Sequence, residues 1–179
     1  STLAATDDNI LFVLLYLQLV EGVRPDVDLV LQGVGNADLP ALRFKPEEDP
    51  VFFTHHPNWD FPPLTVVPTG LVFRIWRQDL PPLSPSVTQW SLVGEFDPRI
   101  PKDYLTRNLI GHYHYMLGLT FERDDWAIAE RELYRARRVA SSNDVLFFNL
   151  GLVYRRTGLY ARSLAAFRYA DEINPRHLA

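Results

Sequence analysis

Two short polar clusters carry residue types able to do chemistry. Asp7, Asp8 and Asn9 stand together at the start of a long apolar run. Carboxylate and amide oxygens there suit a hard divalent cation or hydrogen bonds to sugar hydroxyls. His55 and His56 follow Val51-Phe52-Phe53-Thr54, with Asp60 near, and imidazole with carboxylate is a zinc-type donor set. Each cluster has a plainer account. Acids at a helix start cap it, worth ~1 kcal/mol with no ligand, and two of them oppose a phosphate. Capping is the preferred reading, and Asp7, Asp8, Asn9 and His55 are kept as a possible ligand mouth. Adjacent histidines on a strand point to opposite faces, so no metal site is assigned. His112 and His114 diverge on a helix, with His114 at a packing position. Glu21 and Arg24 read as an ion pair around a helix end. No cysteine is present, which excludes disulfides, thiol catalysis and Cys-ligated metals. No Walker loop, dinucleotide fingerprint, nucleophile elbow or zincin motif occurs. No catalytic residue and no cofactor is assigned, and the chain is read as a non-enzyme.

The elements that must position these residues follow from periodicity and breakers. Residues 1–6 read as a small-residue strand, and 7–22 as a helix with Asp7 to Asn9 at its start and Gly22 at its end. Residues 26–31 alternate as a second strand, so strand–helix–strand with short connections predicts a parallel pair. Val51 to Thr54 form a third strand. A short helix is expected within 36–47, near Pro40. Leu64–Val67 and Leu71–Trp76 are expected to pair around Pro68-Thr69-Gly70. Residues 78–107 are Pro-rich in their first part and read as a connecting segment.

The chain's bulk properties agree with this division. Of 179 residues, 47% are hydrophobic and 22% charged, enough apolar content for a packed core. The net charge of −4 is uneven: residues 1–107 hold 8 Lys/Arg against 14 Asp/Glu, and 108–179 hold 10 against 8. No basic stripe interleaved with aromatics points to nucleic acid. The longest apolar stretch, Ile10 to Val20, is about half the ~20 residues a membrane span needs. The chain starts at Ser1 without a methionine, as an excised part of a longer protein would.

Residues 111–143 and 144–177 align with each other, with Leu117-Gly118 and Leu150-Gly151 placed 33 apart. The second repeat carries Phe147, Leu150, Gly151, Tyr154, Gly158, Tyr160, Ser163, Phe167, Ala170 and Pro175. The first carries Leu117, Gly118, Phe121, Trp126, Ala129, Leu133 and Ala136. Small residues permit close helix crossings, aromatics fill the hairpin, Gly158 permits the turn and Pro175 ends the last helix. In these residues the segment resembles the tetratricopeptide (TPR) repeat family.

That resemblance implies a groove lined by the first helix of each repeat, holding a protein or peptide segment. Its residues would be Tyr115, Leu119, Glu122, Phe148, Leu152, Arg155 and Arg156, flanked by His112, Arg123 and Val145. Phe148 and Leu152 stand where carboxylate-clamp repeats place polar residues. The groove therefore suits an amphipathic helix or an extended apolar segment. A competing occupant is the chain's own N-terminal domain, since two repeats fall short of a self-supporting solenoid.

Residues 1–76 show a second resemblance, carried by Gln18, Glu21, Gly22, Arg24, Pro25, Asp26 and Val27. They look like the soluble C-terminal region of a bacterial multi-spanning membrane family related to protein O-mannosyltransferases. Thr6 and Ile10 depart from that family's acidic loop. The resemblance implies an extracytoplasmic accessory domain of a membrane-anchored parent, with catalysis elsewhere. The expected architecture is thus a small α/β domain (1–77), a connecting segment (78–107), and an all-α TPR-type helical hairpin array of two repeats (108–179). The expected function is protein–protein interaction or scaffolding. The alternative is a ligand-binding accessory domain of a membrane glycosyltransferase-like protein.

Overall fold

The computed structural model describes residues 1–5, 8–31, 48–56, 64–81 and 90–175, the side chains of residues 8, 9 and 31 aside. The expected short helix within 36–47 lies outside these residues. The chain divides into two compact units, Ser1–Ser86 and Val87–Ala179.

The first unit is built on a five-stranded mixed sheet in the order β2-β1-β3-β5-β4. Its elements are β1 (Thr2–Ala5), α1 (Asp8–Leu19), β2 (Asp28–Leu31), β3 (Val51–Phe53), β4 (Leu64–Thr69) and β5 (Val72–Arg77). The expected β–α–β unit is present: β1 and β2 pair in parallel, with Thr2 opposite Asp28 and Ala5 opposite Leu31. β3 joins the other side of β1, also in parallel. Ala4, Ala5, Val51, Phe53, Phe73 and Ile75 are buried. The small alanines of β1 belong to a central strand, where neighbouring strands and side chains close over it.

β4 and β5 form the expected hairpin, but its turn is Gly70-Leu71, because Thr69 and Val72 are paired. Gly70 has φ 63, the left-handed conformation a two-residue hairpin requires. Pro68 lies within β4, which is an edge strand, where a missing N–H is tolerated.

α1 ends at Leu19, three residues before the expected end at Gly22. Gly22 has φ 67, and the Val23 N–H donates to the Leu17 carbonyl at 2.9 Å, which folds the chain back over the last turn of the helix. The residues after it form a clasp. Gln18 Nε2 donates to the carbonyls of Arg24 (3.0 Å) and Val27 (2.6 Å). The expected Glu21–Arg24 pair is not made. Arg24 instead grips Asp26 through two bonds of 2.7 Å each, and Glu21 accepts from the Tyr16 hydroxyl at 2.9 Å. Arg24 takes a positive φ of 49 in the turn that follows the helix, and its guanidinium meets the carboxylate two residues on.

The second unit is helical: α2 (Tyr104–Phe121), α3 (Trp126–Val139), α4 (Asp144–Arg156) and α5 (Tyr160–Ile173). Side-chain oxygens of Asp103, Asp125 and Asn143 cap the first three by accepting from Thr106, Ile128 and Leu146 N–H groups. α2 therefore starts four residues before the expected boundary at 108. Packing pairs α2 with α3 and α4 with α5.

Both pairs are antiparallel and cross at glycine. A Cβ on Gly118 would meet Leu133 Cδ2 at 2.6 Å, and one on Gly151 would meet the Phe167 ring at 2.5 Å. Ser163 Oγ donates to the Gly151 carbonyl at 2.8 Å, so its small polar side chain is satisfied at the crossing. Gly158, φ 79, turns the chain between α4 and α5.

Candidate functional site

The proposed groove residues lie on α2, at its C-terminal end, and on α4. The structure brings three of them together. Arg156 forms a two-pronged ion pair with Glu122, its Nε–Oε1 bond measuring 2.7 Å, so the end of α2 is tied to the end of α4. Tyr115 senses both charges. Burial pushes its hydroxyl up to about 12, Arg156 counteracts that, and Glu122 adds to it. Tyr115, Phe148 and Leu152 are half-buried, whereas Arg155 is exposed. Phe148 leans on Phe167, ring centroids 5.3 Å apart at 55°, so one side of its ring belongs to the α4–α5 crossing.

Leu119 does not share this exposure. At 8% exposed it is packing rather than surface, and it directly follows Gly118 of the close crossing. Arg156 is also not a free rim cation, since Glu122 holds its guanidinium. The surface left to a partner is an apolar strip of Tyr115, Phe148 and Leu152 with Arg155 beside it.

The second unit also contains an ionic cluster at His114. The ring is 1% exposed. Its Nδ1 lies 2.7 Å from Glu132 Oε2 and its Nε2 lies 3.1 Å from Glu95 Oε2. Arg131 Nε donates to Glu132 Oε1 at 2.9 Å, and Arg135 stands 3.6 Å from the same oxygen. For Glu132, burial raises the carboxyl, but the bonds from His114 and Arg131 outweigh it and leave it below its ordinary value. Each ring nitrogen thus faces a carboxylate oxygen. Phe96 flanks the ring at 6.4 Å, and Arg138 stacks on Phe96 at 4.6 Å.

The expected core role of His114 thus holds, but its partners were not foreseen. Glu132 carries a faint sequence signal: it sits in α3 among buried Ala129, Leu133 and Ala136, where a lone acid needs a partner. Glu95 carries none, because it lies in the segment read as a connector. That segment is not uniform. Trp90 stacks on Tyr113 at 5.8 Å, its backbone N–H donates to the Tyr113 hydroxyl at 2.6 Å, and Glu95 completes the His114 cluster. Residues 90–103 therefore pack as part of the helical unit, a correction to 78–107 as a plain connector.

A cavity of about 260 Å³ lies beside this cluster, with Phe96, Lys102, Arg107 and Arg138 in its wall. Lys102 Nζ is turned to the carbonyls of Asp97 (3.3 Å) and Ile100 (3.0 Å), and Arg107 Nε to the Lys102 carbonyl (3.0 Å). These bonds hold the loop shut over α2. They do not converge on a ligand.

The other mouth is less informative. Asp7, and the side chains of Asp8 and Asn9, lie outside the described residues, as does Asp60. His55 and His56 are exposed beyond β3. His55 Nδ1 lies 3.2 Å from its neighbour Thr54 Oγ1, and His56 packs edge-on to Phe73 at 5.3 Å. Both stand past the end of β3, so strand alternation does not govern where their rings point. No group of three or more metal-ligating side chains occurs among the described residues. Nor is any helix among them long and apolar enough to cross a membrane. No family model, curated protein or solved structure matches this chain.

Proposed function

We propose that the chain is a protein-interaction module whose helical unit is a two-repeat TPR-type array holding an apolar segment of another polypeptide. What supports the reading is one construction made twice: a glycine of α2 under Leu133 of α3, and a glycine of α4 under Phe167 of α5, 33 residues later. Repeating the unit leaves the first helices, α2 and α4, as neighbours. Their shared face carries Tyr115, Phe148 and Leu152 only half-covered. Arg155 supplies a cation for a carboxylate at the segment's edge. The reading assigns the chain no chemistry of its own. The resemblance of residues 1–76 extends it to an accessory part of a membrane-anchored parent on the extracytoplasmic side.

A displayed random-peptide library selected on the intact chain tests the interaction. Enriched peptides should carry spaced apolar anchors and bind at micromolar Kd. Leu152→Glu should weaken them more than about tenfold, and Leu164→Glu, on the exposed side of α5, should leave them unchanged. Enriched peptides indifferent to Leu152→Glu would sink the reading.

A further inference from the structure

Helix α1 is apolar on both sides, and only one side is used. Leu11, Leu14, Leu15 and Gln18 are half-buried, on the side that packs on β1 and β2. The opposite side exposes Phe12 (65%), Val13, Tyr16, Leu17, Leu19 (76%) and Val20 (66%). Together these expose on the order of 600 Å², at the top of the range for the largest apolar patch on a monomer. A standard interface takes ~800 Å² from each partner, so this helix with its rim supplies most of one.

We infer that this face is a self-association surface, on which two copies of the chain pair α1 against α1 across a twofold axis. Three features select a second copy as the occupant. The six exposed side chains are uncharged, with Glu21 held on the Tyr16 hydroxyl beside them, so the partner must be largely apolar, and an identical face is. Its residues lie in i, i+4 rows, Phe12-Tyr16-Val20 and Val13-Leu17, and two such sets interdigitate with helices crossing at about −50°. The Tyr16 hydroxyl is already satisfied by Glu21, so burying the ring strands no donor. A lipid surface fits worse. α1 has no Lys or Arg, acids Glu21, Asp26 and Asp28 follow it, and Arg24 is held by Asp26; interfacial helices carry cations instead. An axis near Tyr16 and Leu17 sets Val13 of one copy against Val20 of the other.

Sedimentation equilibrium of the whole chain from about 1 to 100 μM tests this, with a micromolar dimer expected for an interface of this size. The pair Val13→Lys/Val20→Lys and the pair Val13→Glu/Val20→Glu should each be monomeric, with native circular dichroism, and should form a heterodimer when mixed. Because the chain has no cysteine, Tyr16→Cys gives a second readout that leaves the face apolar. It should oxidise to a disulfide dimer at least tenfold faster than exposed Arg155→Cys. A wild-type chain monomeric throughout this range overturns the inference. So does a dimer that both charged pairs leave intact, equal oxidation at the two cysteines, or binding to anionic vesicles by a monomer.

Discussion

At the scale of single residues, Glu132 is the most exacting position. Its side chain is 1% exposed and shared between buried His114 and two half-exposed arginines, so removing it strips the His114 Nδ1 of its partner in the interior. Glu132→Ala should cost about 3–5 kcal/mol in urea unfolding at neutral pH. The pH dependence has a definite sign. The folded-state carboxyl lies below its ordinary value of 4.5, so its contribution is full above that value and is lost as pH falls through the folded one. The stability gap between wild type and Glu132→Gln should therefore shrink on acidification below about pH 4.5. A gap constant from pH 7 to 3 would refute the assignment. Tyr115 acts in the opposite direction. Its hydroxyl is raised from 10.0 to about 12, so the unfolded chain ionises first and stability falls as pH climbs from 10 toward 12. Tyr115→Phe should remove on the order of 2 kcal/mol of that alkaline loss, read from urea midpoints at successive pH values.

At the scale of elements, two glycines that look alike in sequence do different things. Gly151 lies in mid-helix with the Phe167 ring where a Cβ would be, whereas Gly158 has open space but φ 79. Gly151→Ala should destabilise by about 1–3 kcal/mol through overpacking, although alanine is the better helix former. Gly158→Ala should cost about 1 kcal/mol through backbone strain alone, and Gly158→Asn less. Thermal melts of the three variants separate the mechanisms: a Gly151→Ala chain as stable as wild type would mean that the helices do not cross there. The crossing positions were legible because small residues amid large ones recur at the same spacing. The turn after α1 was legible for a related reason, Gly22 being the residue type that takes a positive φ without cost. The clasp beyond it was not. Glu21 and Arg24 looked like partners by charge, but the turn set Arg24 on Asp26 and left Glu21 to Tyr16. Charge says that a pair is possible, and backbone direction chooses which.

For the whole molecule, the division into two units makes a prediction about where the chain can be cut. The helical unit's interior uses residues ahead of its first helix: Trp90 against Tyr113 and Glu95 against His114. A fragment of residues 87–179 should fold with native helical circular dichroism and a cooperative melt. A fragment of residues 108–179 lacks Trp90, Glu95 and the Asp103 cap. It should melt at least about 10 °C lower. Equal melting of the two fragments would show that residues 90–107 contribute nothing to the helical core.

What the sequence by itself determined is local and periodic: the four helices of the helical unit, the β–α–β order, the hairpin at Gly70, and the two glycine crossings. These follow from side-chain spacing and from residues whose backbone freedom is restricted or enlarged, all within a few positions of one another. The tertiary structure alone decided what meets across distance. It placed β3 beside β1 and β5 between β3 and β4, enclosed His114 between Glu95 and Glu132, tied Glu122 to Arg156, and left one side of α1 bare. Helical and strand periods say which face of an element must be covered. Which element covers it, and which charge enters the interior with its partners, is settled only when all the faces are packed at once.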